Sequence, residues 1–94
     1  MKLRWARLAI ADLDSAHAYI DANNPTAANQ LIDRIERAAQ VLRQHPAAGR
    51  VGRVAGTREL VVAGTPFVIP YRVRRNVIEI LAVIHGARKW PDSL

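Results

Sequence analysis

Arg58, Arg72, His85 and Arg88 are the side chains of this chain best suited to chemistry at an anion. An imidazole titrates near neutral pH, so His85 can serve as acid, base or phosphate donor. The guanidinium groups grip carboxylate or phosphate oxygens in bidentate fashion. Brought to one place, these residues would form a cationic site able to hold a phosphate and move a proton. His85 also ends an apolar run, and a hydrogen-bonded histidine closing a strand is the more ordinary role for that position. Just beyond it, Arg88, Lys89 and Trp90 read as a target-binding tip, because Arg and Trp are favoured at binding hot spots. A solvated tail would carry the same residues. Arg58 suits target or partner carboxylates, or the task of keeping an edge strand soluble.

Charge bounds the class of partner. From Arg50 onward eight basic residues face three acidic ones, whereas before Arg50 six face five. Of the net charge of +6, +5 therefore sits on the C-terminal half, which points to an acidic partner or a nucleic acid. Direct nucleic-acid binding would show steep salt dependence and usually uses aromatic platforms, and the chain has only two Trp, two Tyr and one Phe. Twelve of the fourteen basic residues are Arg, a bias that a GC-rich genome also produces. With no Cys, thiolate catalysis, disulfides and thiolate zinc sites are excluded. His17, His45 and His85 are too scattered for a metal site, and no carboxylate joins them at ligand spacing. No metal and no cofactor are expected.

The elements that must position these residues follow from periodicity. Ninety-four residues, 50% of them apolar, are expected to form one domain over residues 1–94. No apolar run approaches the roughly 20 residues of a membrane span, and MKLRWARLAIADLD turns charged too soon for a signal peptide, so a soluble, cytoplasmic protein is expected. Met1 to Trp5 alternates like a short edge strand. From Ala6 to about Ala22, Ala9, Leu13, Ala16 and Ile20 recur at helical spacing. Asn23-Asn24-Pro25 breaks this helix, with an Asn able to end it in the left-handed region and Asn24-Pro25 opening the next. The second helix carries the stripe Ala28, Leu31, Ile32, Ile35, Ala38, Ala39 and Leu42, and ends at His45-Pro46. The short connection implies an antiparallel helical hairpin.

After a Gly- and Arg-rich loop over Ala47 to Gly56, the period changes to two. Thr57 to Ala63, Phe67 to Val73 and Val77 to His85 read as strands of an antiparallel meander, turning at Gly64-Thr65 and Arg75-Asn76. A two-residue turn at Arg75-Asn76 pairs Arg74 with Val77 and sets Arg72 against Glu79 as a cross-strand ion pair. That register gathers Phe67, Ile69, Tyr71 and Val73 with Ile78, Ile80, Ala82 and Ile84 under the helices. Pro70 cannot donate to a ladder, so a bulge or pairing gap is expected there. The fold class is therefore α+β, a two-helix hairpin on one face of a small antiparallel sheet. Val61, Val68, Leu81 and Val83 fall on the other face, where they form an apolar patch exposed to a partner unless the Gly49 to Gly56 loop or the tail folds over it.

In order along the chain stand Asn24, Pro25, Ala27 and Ala28 as NPxAA, Gly49-Arg50, GTRELVV from Gly56, FVIPYRV from Phe67 and VIHGARKWP from Val83. As an ordered set this resembles the RelE/ParE superfamily of toxins from bacterial type II toxin-antitoxin pairs, over nearly the whole chain. The resemblance implies an α+β fold and a cognate antitoxin, acidic in its toxin-binding segment, that wraps the toxin in a hetero-oligomer. It would make Val61, Val68, Leu81, Val83 and Arg58 antitoxin-binding, and Arg58, Arg88, Lys89 and Trp90 target-binding. RelE-like members cut mRNA on the ribosome, a reaction that needs a base, an acid and cations for the phosphorane charge. Here Val68 stands where those enzymes tend to carry an Arg, Gly86 follows His85 where a Tyr is expected, and the tail has no Tyr. The resemblance leans to the ParE branch, which poisons DNA gyrase by binding. The alternatives are an mRNA endonuclease built on His85, Arg58, Arg72 and Arg88, and a degenerate, non-toxic nucleic-acid-binding domain.

Overall fold

The computed structural model describes residues 1–94. In chain order it has β1 (Lys2–Trp5), α1 (Arg7–Asp21), α2 (Pro25–Val41), β2 (Arg50–Val51), β3 (Arg58–Val61), β4 (Phe67–Arg74), β5 (Val77–Ile80) and β6 (Ile84–His85). The sheet runs β1-β5-β4-β3-β2, with β6 also on β4. Both expected helices form. Asn24 caps α2, its Oδ1 accepting from Ala27 N at 3.1 Å, and Pro25 takes the first helical position, where a missing N–H costs nothing. No left-handed Asn ends α1: Ala22 is still right-handed, and Asn23 N donates to Ile20 O at 3.1 Å.

One layer of helices covers one face of the sheet. Ala9, Ile35, Ala39 and Leu42 pack on Ile69, Tyr71, Ile78 and Ile80, with Leu3, Trp5, Leu13 and Leu31 at the margin. The Arg74↔Val77 and Arg72↔Glu79 register is as expected. Its turn takes positive φ at both Arg75 (49°) and Asn76 (65°), the conformation that matches the strand twist of a two-residue hairpin. β1 corrects the antiparallel expectation, because it lies parallel to β5, pairing Leu3 with Ile78 and Trp5 with Ile80. The sheet is mixed. Arg50–Val51, read as loop, adds an edge strand against Arg58 and Glu59.

The third long strand is interrupted, and the interruption re-aims the site. Tyr71 pairs with Ile80, whereas Val68 pairs with Ile84 and Phe67 with His85. Two residues of β4, Ile69 and Pro70, thus face three on the other side, Leu81 to Val83, which is a one-residue bulge. Its cause is Pro70. Leu81 N donates to Pro70 O at 3.0 Å, so the main-chain edge of Pro70 faces this side, where its ring nitrogen has no proton to return. The ladder skips a residue, and every side chain beyond changes face. Val83 joins the core, and His85 comes to the helix-side face beside Phe67, against the expected alternation.

Candidate functional site

On the open face of the sheet, two buried carboxylates are each held by two arginines. Glu59, 2% exposed, accepts from Arg50 Nε (3.2 Å) and Nη2 (3.0 Å) and from Arg53 N (2.7 Å), Nε (3.1 Å) and Nη2 (3.2 Å). Burial alone would raise its pKa, but the hydrogen bonds from the Arg53 side chain and backbone and from Arg50 outweigh it and hold the carboxyl below its ordinary value. Glu79 accepts from Arg72 Nε at 2.6 Å and pairs with Arg4 on β1. The Arg72–Glu79 pair was legible in the sequence; Arg4, Arg50 and Arg53 were not, because nothing local signals which strands or loops will meet.

These clamps decide what covers the open face. By gripping Glu59, Arg50 and Arg53 draw their loop across the sheet, and the Arg53 guanidinium lies 3.7 Å from the centre of the Trp90 ring, a cation–π contact that docks the tail. Gly86 N donates to Pro66 O at 2.8 Å, bringing the tail beside Val68. Val68, Leu81 and Val83 are buried, and Val61 alone of the expected patch is exposed, at 52%. The expectation of an uncovered apolar face is thereby corrected: the tail reaches Val68 at Gly86, Leu81 is only 7% exposed, and the bulge carries Val83 into the core.

The candidate catalytic residues do not share a site. Arg58 pairs with Tyr71 on the helix-side face, where its Nη1 donates to Gly49 O at 2.7 Å. Arg72 lies on the opposite face, bound to Glu79. His85 lies opposite Phe67, four strand residues from Tyr71, which is about 13 Å along β4. Its ring meets Phe67 edge-on at 5.7 Å, and Nδ1 accepts from Ala87 N at 3.1 Å. Arg88 and Lys89 are exposed and near His85, but Trp90 is no free tip. Its ring sits under Arg53, and its Nε1 is buried without an acceptor in the chain.

His85 and Arg88 instead join a cleft of about 670 Å³ between α1 and the C-terminal segment, with Leu8, Tyr19, Ile20 and Phe67 on its apolar wall. Asp12 anchors it, its Oδ2 accepting from Val83 N at 2.9 Å. That N–H is free because of the bulge, so the sequence held no signal for Asp12 beyond its place on α1. Leu8 (53%) and Tyr19 (83%) are exposed along the cleft, large apolar side chains that the helical stripe leaves outside the core. Three or more His, Asp or Glu side chains come together nowhere as a metal site would require, and no helix is long and apolar enough to cross a membrane.

Known proteins share this architecture. The chain is 45% identical over 93 residues to Y4kP of Sinorhizobium fredii, described as a toxin, covering 99% of this chain and 96% of that one. It is 38% identical over 84 residues to Toxin RelE2 of Caulobacter vibrioides, covering 89% and 93%. A solved structure described as the chromosomal ParDE TA system from P. aeruginosa superposes with a TM-score of 0.85 at 33% identity, over 90% of this chain and 95% of that one. Residues 3–90 match the family described as ParE toxin of type II toxin-antitoxin system, parDE, and the chain belongs to that family.

Proposed function

We propose that this toxin acts by binding DNA gyrase and stabilising its cleaved DNA, without chemistry of its own, and that a cognate acidic antitoxin neutralises it. The dispersal of Arg58, Arg72, His85 and Arg88 over two faces and both ends of β4 carries this reading. Phosphodiester cleavage needs an acid, a base and charge stabilisation within hydrogen-bond reach of one phosphate. Here Arg58 and Arg72 are engaged by Gly49 O and Glu79, about 13 Å or more along the strand from His85.

The antitoxin seat that best suits the surface is the cleft beside α1. Leu8 and Tyr19 offer the apolar anchors of an interface core, and Arg88 and Lys89 offer a cationic rim for an acidic chain. Of the apolar patch residues Val61, Val68, Leu81 and Val83, only Val61 is exposed to such a chain. The target-binding role is proposed for Arg88 and Lys89, with Arg58 and Trp90 serving to hold the loop and tail in place. The name of the Caulobacter relative, RelE2, supports a second reading in which the ribosome is the target.

Purified toxin added to gyrase and supercoiled plasmid, beside a ribosome programmed with mRNA, separates the two. Accumulation of cleaved plasmid, suppressed by the antitoxin, is the expected result. Cleavage of mRNA in the ribosome with no effect on gyrase would establish the second reading, and inertness in both would indicate a degenerate toxin.

A further inference from the structure

The end of the sheet remote from His85 gathers cations around the Glu79 clamp, and three of them, Lys2, Arg74 and Arg75, belong to neither clamp nor cleft. Lys2 on β1 and Arg74 on β4 flank Val77 of β5 in one cross-strand row. Arg4 and Arg72 flank Glu79 in the next row. Side chains directly opposite share a face, with strands about 4.8 Å apart and same-face neighbours about 7 Å apart along a strand. Lys2, Arg4, Arg72 and Arg74 therefore mark the corners of a rectangle of about 10 by 7 Å. Arg75, held at positive φ in the turn, extends it at the hairpin tip. Glu79 is the only acid inside it, buried and held by Arg4 and Arg72. Lys2, Arg74 and Arg75 are exposed and make no ion pair. A concavity of about 680 Å³ opens here, lined by Arg4, Arg74, Arg75, Val77 and Glu79.

We propose that this hairpin end binds the phosphodiester backbone of a double-stranded nucleic acid. Each strand of a duplex carries a negative charge about every 3.4 Å, so a 10 Å stretch presents about three phosphates to these cations. A protein partner fits the surface less well, because interfaces between proteins depend on a desolvated core of apolar or aromatic anchors, and Val77 is the only apolar residue of the concavity. Backbone binding needs no such core, being carried by release of counterions. No aromatic side chain lines the concavity to stack unpaired bases, which favours a duplex over a single strand.

The test uses the isolated full chain and a 30-base-pair DNA duplex of arbitrary sequence, the same duplex in RNA, and poly-glutamate, each titrated by fluorescence anisotropy from 50 to 200 mM salt. With Lys2, Arg74, Arg75 and the one net positive charge of the Arg4–Glu79–Arg72 cluster each neutralising one phosphate, the log–log slope is about −3.6 and affinity falls about 150-fold over that range. Arg74→Ala/Arg75→Ala should halve the slope to about −1.8, while Arg7→Ala/Arg37→Ala, equal in charge but on the helices, leaves it unchanged. Binding to the DNA duplex, the RNA duplex or both identifies which backbone is recognised. Equal losses in the two double variants, or tighter binding to poly-glutamate than to either duplex, would overturn the proposal.

Discussion

Replacing Glu59 by Gln tests the clamp that holds loop and tail over the sheet. Gln keeps the size and one acceptor oxygen but removes the charge that draws together Arg50 and Arg53. Hydrogen bonds to a charged group contribute about 1.5–3 kcal/mol net when the group is buried. Glu59 is buried, but its arginines are roughly half exposed, so solvent screening cuts the gain, leaving a loss of about 2 kcal/mol. For a domain of this size that lowers Tm by about 8–16 °C. The pH dependence is diagnostic. The native carboxyl titrates below its ordinary value, so its stabilisation is fully present above the ordinary carboxylate range and is lost as pH falls through the lowered native value. Thermal melts of wild type and Glu59→Gln, followed by circular dichroism, should therefore differ at pH 7 and converge on acidification. A Tm gap that persists unchanged to pH 3 would refute the reasoning, because the protonated carboxyl and the amide would then not be equivalent in the clamp.

Two further substitutions probe the packing beneath the site. Tyr71→Phe removes a buried hydroxyl that donates to Pro46 O at 2.7 Å and accepts from Gly49 N at 2.9 Å, leaving two main-chain groups unpaired; urea titration should show a loss of about 2–4 kcal/mol, and a loss under 0.5 kcal/mol would mean that water replaces both bonds. Leu81→Asp places a charge on a side chain only 7% exposed and should leave the isolated chain unfolded by circular dichroism, whereas Val61→Asp, at a half-exposed edge position, should fold normally. Similar stability for the two variants would show that Leu81 is not part of the buried core.

What the sequence disclosed was governed by range. The helices were legible because a 3.6-residue stripe and the Asn24-Pro25 junction are local signals. The β4–β5 register was legible because only one alignment opposes Arg72 to Glu79. Pro70 announced a defect, but its consequence depended on whether its edge faced β3 or the β5 side, and that is fixed by pairing rather than by sequence. One skipped residue then exchanged the faces of Val83 and His85, and with them the composition of both the apolar patch and the cationic site. Glu59 was missed for a related reason. Its partners, Arg50 and Arg53, lie in a loop whose path is set by the ion pairs themselves.

The same pairing sorts the positive charge. Arg50 and Arg53 are spent on Glu59, Arg72 on Glu79 and Arg58 on the Gly49 carbonyl. Of the C-terminal cations, Arg74 and Arg75 remain at one end of β4, and Arg88 and Lys89 at the other. Eight strand residues separate the ends, about 23 Å, more than twice the Debye length at physiological salt. The two ends therefore act as independent electrostatic surfaces. A partner seated in the cleft beside α1 meets Arg88 and Lys89 without screening or covering the hairpin end. Charge loss at Arg74 and Arg75 should accordingly leave the affinity and salt dependence of antitoxin binding untouched, while charge loss at Arg88 and Lys89 weakens it, an outcome that isothermal titration of the two double variants reads directly. Coupling between the ends would mean that the partner spans the whole length of β4.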